Sequence, residues 1–255
     1  MKLDSITPLV LTWNEDPNLR RCLERLCWAK EVVILDSGST DSTAAIAGEF
    51  PNARLLVRPF DDHTTQWNFG VDACGTNWIL SLDCDYVLCP GFEEELADLD
   101  ENTSFDAFYG SFRYLIYGKP LRACLYPPRA VLFRKDRCRY VPDGHTQILS
   151  IPGLTAHLTT KIDHDDRKPL SRWFSSQDKY AKLEAEKLTA LTQLSLQDRI
   201  RRTMVLGPVV VFLYTLLARR TVLDGPHGWF YAFQRTLAEI MLSLRLLEKK
   251  IGKSI

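Results

Sequence analysis

Two carboxylates, Asp83 and Asp85, stand one residue apart in the run SLDCDYVLC. In a strand, residues i and i+2 project from the same face, so both side chains would aim at one spot. Anions that close repel unless a proton or a cation lies between them. An all-oxygen donor set suits Mg²⁺ or Mn²⁺, with coordination positions left for a substrate. The same pair in a solvated turn would need no ion, so the neighbouring elements must decide. Asp36 ends the apolar run EVVILD, where its carboxylate can accept hydrogen bonds from a nucleobase or ribose. Ser37, Gly38 and the Ser and Thr residues that follow make a compact polar turn before a helix, suited to phosphate or ribose contact. A turn followed by a helix N-cap would use the same residues. Asp36, Asn68 and the Asp83/Asp85 pair fall on consecutive elements, and the combination is more specific than any member.

Those elements alternate over the first hundred residues. PLVLTW, EVVILD, ARLLVRPF and NWILSLD read as buried strands. Between them lie helical patterns, the first with Asp16 as N-cap, Pro17 at the first helical position and an apolar face of Leu19, Cys22, Leu23 and Leu26. Such alternation predicts an α/β fold with a mostly parallel sheet flanked by helices. Asp36 and the Asp83/Asp85 pair then sit at the carboxyl ends of strands, where open α/β sheets bind ligands. From Phe105 to Ser150 short aromatic-rich runs predict antiparallel strands. Beyond Lys168 the pattern is helical. The expected division is a catalytic domain over residues 1–168 and a helical region over 169–255.

Composition narrows the function classes. The 255 residues carry 32 Lys+Arg and 32 Asp+Glu, so no global charge argues for a nucleic-acid partner. Seven cysteines include no Cys-x-x-Cys and read as reduced thiols of a cytoplasmic protein. The N-terminal MKLDSITPLVLTWNED lacks the long apolar stretch and small-residue site of a signal peptide.

The order TWNED, DSGSTDST, QWNFGV and WILSLDCDYVL resembles family 2 glycosyltransferases of the GT-A fold. Members commonly show a T-x-N-E strand end, a D-x-G-S-T-D turn, an R-N-x-G helix and a D-x-D strand end. The resemblance is close from Ile6 to Leu88, and within the family it leans to bacterial envelope enzymes such as lipopolysaccharide-core glucosyltransferases. There the last motif usually reads LSLDADE; here Cys84 and Tyr86 replace its Ala and Glu. The resemblance implies that Asn14, Glu15, Asp36, Ser37, Gly38 and Asn68 line a nucleotide-sugar site. It implies that Asp83 lies against ribose and metal, and that Asp85 coordinates Mn²⁺ or Mg²⁺ on the donor diphosphate. His164 sits where many GT-A enzymes complete the metal shell. The chemistry implied is inverting transfer of a sugar, UDP-linked, to an envelope glycan or lipid-linked acceptor.

Inversion in one displacement requires a general base. Asp143 in YVPDGHTQI is the first candidate because the family base is a carboxylate. His145 is the second, since imidazole titrates near neutrality. Arg129 is a candidate for binding the acceptor or the leaving group, and Arg167, Lys168 and Arg172 for anions.

The uncharged run Met204–Ala218 spans 15 residues, short of the ~20 that cross a bilayer. Arg199, Arg201 and Arg202 precede it and Arg219 and Arg220 follow, which suits peripheral contact with the inner face of a cytoplasmic membrane. Trp229, Phe233, Thr236, Leu237, Ile240, Leu244 and Leu247 form one stripe of a final helix. Both runs also suit packing against other helices. Two rival functions are a sugar nucleotidyltransferase, whose Gly-rich basic loop TWNEDPN lacks, and a non-catalytic scaffold keeping the fold.

Overall fold

The computed structural model describes residues 1–143, 146–191 and 193–252. The chain divides into two compact units, one formed by Met1–Gly118 with Cys124–Arg167 and the other by Lys119–Ala123 with Lys168–Ile255.

The first unit opens with β1 (Ile6–Thr12), α1 (Leu19–Glu24), β2 (Val32–Asp36), α2 (Thr43–Ala47), β3 (Ala53–Val57), α3 (His63–Ala73) and β4 (Trp78–Asp83). Then come β5 (Tyr86–Leu88), α4 (Phe92–Asp98) and β6 (Phe105–Ile116). In the second unit lies the short β7 (Lys119–Pro120). The first unit resumes with β8 (Arg129–Arg134), β9 (Arg139–Asp143), β10 (Thr146–Ser150) and β11 (Leu154–His164). Its sheet runs β3-β2-β1-β4-β8-β6-β11-β5. The four strands from β3 to β4 are parallel, as the alternating pattern predicts.

Within the aromatic-rich region the β6–β8 and β9–β10 pairings are antiparallel, as expected, and the link to the later β11 is parallel. β8 is antiparallel to both β4 and β6, whereas β6 runs parallel to β11. β9 and β10 form a separate antiparallel hairpin. The eleven residues of β11 read in sequence as only a short strand, because Thr, Lys and His interrupt its apolar positions.

Strand alternation sorts the core onto two faces. Val10, Ile34, Leu80 and Leu82 join one apolar cluster with α1, while Leu9, Val33, Leu35 and Ile79 join another with Trp67 and Val71 of α3. α3 lies so close to β1 that a Cβ on Gly70 would fall 2.7 Å from a Leu9 methyl. Regular α1 begins at Leu19, later than the Asp16 cap expected. The turn before it is closed by the Glu15 carbonyl, which accepts from both Asn18 and Leu19 amides.

The second unit is helical, with α5 (Leu170–Ala190), α6 (Leu196–Arg202), α7 (Leu206–Leu213) and α8 (Pro226–Gly252). α7 continues into one π-helical turn, Tyr214–Ala218. Arg201 ties three of these helices together, donating to Glu184 of α5 at 2.7 Å and to Glu239 of α8 at 2.8 Å. No helix of the described residues is long and apolar enough to cross a membrane.

Candidate functional site

The turn after β2 is built around Asp36, which is 2 % exposed. Its Oδ1 accepts from the Thr12 hydroxyl at 2.8 Å and from the Ser39 hydroxyl. Oδ2 accepts the Gly38 and Ser39 amides at 3.0 and 2.7 Å. Gly38 holds a φ of 88° there, a left-handed conformation that glycine adopts without strain. The carboxylate expected to face a nucleobase is thus engaged by its own turn and by Thr12 of β1. What the turn presents outward is the polar rim it supports. Asn14, itself left-handed at φ 54°, locks the β1 end to this rim by accepting the Thr40 amide at 2.7 Å. Glu15 is buried and its amide donates to the Thr43 hydroxyl at 2.7 Å. Ser37 accepts from the Gln66 side chain at 3.1 Å. Gln66 is a fully buried member that its polar neighbourhood in sequence does not reveal.

Asn68 is also engaged internally. Its amide donates to the Tyr140 carbonyl at 2.9 Å and accepts the Tyr140 N–H at 3.1 Å. This pairing pins α3 to β9, so the side chain holds the site's wall together.

The Asp83/Asp85 motif departs from the expected single strand face. β4 stops at Asp83, and Cys84 and Asp85 form a turn. The chain must turn there because β5 leaves to pair antiparallel with β11, setting Tyr86 opposite His164. One step beyond that pair, the Asp165 amide donates to the Asp85 carbonyl at 3.1 Å. This register, not strand alternation, places Asp85 Oδ2 3.2 Å from His164 Nε2. Both side chains are 14 % exposed, while Asp83 is exposed. Burial pulls the His164 pKa down, but the adjacent Asp85 carboxylate, with Asp83 and Asp166, more than offsets this and leaves it raised.

Aromatic rings enclose the imidazole. Tyr114 and Tyr126 lie 4.8 Å from it between centroids and Tyr86 5.3 Å. Tyr86, standing where the resembling family has Glu, shares a hydrogen bond of 2.7 Å with the Tyr126 hydroxyl. Burial, with Asp83 nearby, pushes the Tyr126 phenol up to about 12. Arg129 is exposed and its guanidinium lies 5.4 Å from the Tyr126 ring centroid.

Behind the pair lies a buried polar hub missed in the sequence. Asp165, 1 % exposed, accepts from Arg21 at 2.8 Å and from Arg167 at 2.9 Å. Asn18, fully buried, donates to Glu15 at 2.9 Å and to Asp166 at 3.1 Å. Arg167 is exposed but ion-paired with the buried Asp165 at 2.8 Å. The acids after His164 are visible in sequence, but Asn18 and Arg21, which also meet them, lie at α1, far away in the chain.

Asp143, the first candidate base, is exposed at the end of β9. His145 lies outside the described residues. Among the described residues no three His, Cys, Asp or Glu side chains form a ready cage for a metal ion. The Asp85–His164 pair still suits a divalent cation by donor type, an anionic oxygen beside an imidazole. His164 Nδ1 is buried with no hydrogen-bond partner, the kind of unmet polar atom that marks a site built for something further.

Comparison with known proteins decides the family. Residues 9–139 match the family described as "Glycosyl transferase family 2". The chain belongs to that family. Among relatives of this glycosyltransferase chain is the lipopolysaccharide core biosynthesis glycosyltransferase LpsC of Rhizobium meliloti (strain 1021). It is 32 % identical over 98 residues, 37 % of this chain and 36 % of LpsC. An uncharacterized glycosyltransferase of Rickettsia felis is 29 % identical over 116 residues, 45 % of this chain and 38 % of the relative. The match thus spans little more than a third of these relatives' length. A solved mannosyltransferase, PcManGT from Pyrobaculum calidifontis in complex with GDP-Man and Mn²⁺, superposes with TM-score 0.55 at 13 % identity. That superposition covers 96 % of this chain and 88 % of the mannosyltransferase. At that identity the likeness supports the GT-A fold expected from the sequence.

Proposed function

We propose that this family 2 glycosyltransferase moves a sugar from a nucleotide donor, UDP-linked, to an envelope glycan or lipid-linked acceptor. The observation that carries the reading is the Asp85–His164 pair, 3.2 Å apart beside the exposed Asp83 at the end of β4. The envelope assignment draws on the likeness to LpsC. The residues up to 168 are the proposed catalytic domain.

Asp85 and His164 would hold a Mn²⁺ or Mg²⁺ ion, with Asp83 toward the ribose. Such an ion, when bound, stabilises the negative charge gathering on the departing diphosphate. Asn14 and Glu15, with the Ser37–Gly38 turn, shape the donor's bed, and Asp36 and Asn68 keep that bed rigid. The guanidinium of Arg129 faces the acceptor or leaving group. Asp143 is the proposed base, taking the proton of the acceptor hydroxyl as its oxygen forms the new bond to the sugar carbon.

Calorimetric titration of UDP with and without Mn²⁺ tests the reading. Binding that needs Mn²⁺ and vanishes in Asp85→Ala is the expected result. Failure of UDP, GDP and dTDP to bind with either metal would return the chain to the scaffold reading.

A further inference from the structure

The second unit wears its apolar stripe outside. Along α7 and its π-helical extension, Leu206, Val209, Val210, Leu213 and Leu217 recur at helical spacing. In a water-facing globular helix such a stripe turns to the core. Here it is exposed, Leu213 by 47 % and Leu217 by 57 %. α8 does the same with Trp229, Phe233, Ile240 and Leu244, the last 60 % exposed. Its inward side is instead lined by Tyr231, Ala232, Leu242 and Leu246. Phe212 stacks on Phe233 with centroids 6.2 Å apart, so the two stripes adjoin.

Exposed charge in this stretch has one sign. Residues 199–238 contain six arginines and a single acid, Asp224. Asp224 is 7 % exposed and paired with Arg122 at 3.2 Å. Arg201 turns inward to Glu184 and Glu239. Arg199, Arg202, Arg220 and Arg235 remain exposed. An exposed apolar face in a unit whose exposed charges near α6 and α7 are arginines, on helices that are not both long and apolar enough to span, fits the interface of an anionic bilayer.

We infer that the α7–α8 face of the second unit seats on an anionic lipid surface, its apolar stripe among the acyl chains and its arginines among the headgroups. The inference is independent of the donor-site reading. Its test is flotation of the full chain with vesicles of phosphatidylglycerol and phosphatidylcholine, beside phosphatidylcholine alone. Binding to the anionic vesicles that weakens with salt is expected. Leu213→Asp with Leu217→Asp should cut it by about tenfold or more. Arg202→Gln with Arg220→Gln, which leaves the apolar stripe unchanged, should cut it several-fold and flatten the salt dependence. Unchanged circular dichroism and UDP affinity in each variant would separate loss of docking from loss of fold or donor site. No flotation, or equal flotation with both lipids, would overturn the proposal. So would light scattering that shows a dimer dissociated by the leucine variants, since a second copy would then own the face.

Discussion

Asp36 and Asp85 both stand where a parallel strand delivers its chain to the carboxyl-end edge of the sheet, yet they live differently. Asp36 is buried and accepts four hydrogen bonds from its own turn and the neighbouring strand. Asp85 is less deeply set and faces an imidazole from a distant strand, within a ring of tyrosines. A carboxylate whose acceptor sites are filled by its own turn and the neighbouring strand serves the scaffold. One held against a histidine with an unmet nitrogen can serve a ligand.

The contrast is sharpest in activity. Asp85→Asn keeps the side chain's shape and removes its charge, and should lower turnover by about 10²–10³-fold with little change in melting temperature. Steady-state transfer assays read this directly, and near-normal turnover would erase the distinction. Asp36→Ala should act the other way. Stranding the amide and hydroxyl donors around a lost carboxylate should cost about 3 kcal/mol of stability, seen as an earlier urea midpoint. If it unfolds no earlier but loses UDP affinity, Asp36 belongs with Asp85.

Glu95 gives a milder version of the satisfied carboxylate. Its oxygens accept the Thr159 amide and hydroxyl and the Thr160 amide at 2.7–2.9 Å. Partial burial raises its pKa, but these bonds prevail and leave it lowered. A depressed folded-state pKa gives stability that is present above the ordinary glutamate value and lost as pH falls through the lower one. Glu95→Gln should therefore lose about 1 kcal/mol at neutral pH, and its gap to the wild type should close on acidification. A pH-independent gap in denaturant titrations would assign the effect to packing.

Much of this was written locally. The parallel half of the sheet follows from apolar strand runs alternating with helical spacing, and the motif order carries the family. The Gly38 turn is legible because glycine before polar hydroxyls encodes its own geometry. What the sequence could not disclose was the state of each polar group. Whether Asn68 faces a ligand or a neighbouring backbone depends on Tyr140, 72 residues away, and the filling of Asp36 is completed by Thr12, 24 residues back. The helical stripes of α7 and α8 were legible as stripes, but periodicity is blind to which side meets the core.

The sequence by itself determined the strand and helix order and the residue types at the sheet's edge, because these rest on short-range periodicity and turn chemistry. Only the tertiary structure decided that Asp85 meets His164, 79 residues away, through the antiparallel register of β5 and β11. It alone decided that Asp165 meets Arg21, 144 residues away, and that the apolar face of the second unit turns outward. Those outcomes depend on non-local pairing and burial, which no local pattern specifies.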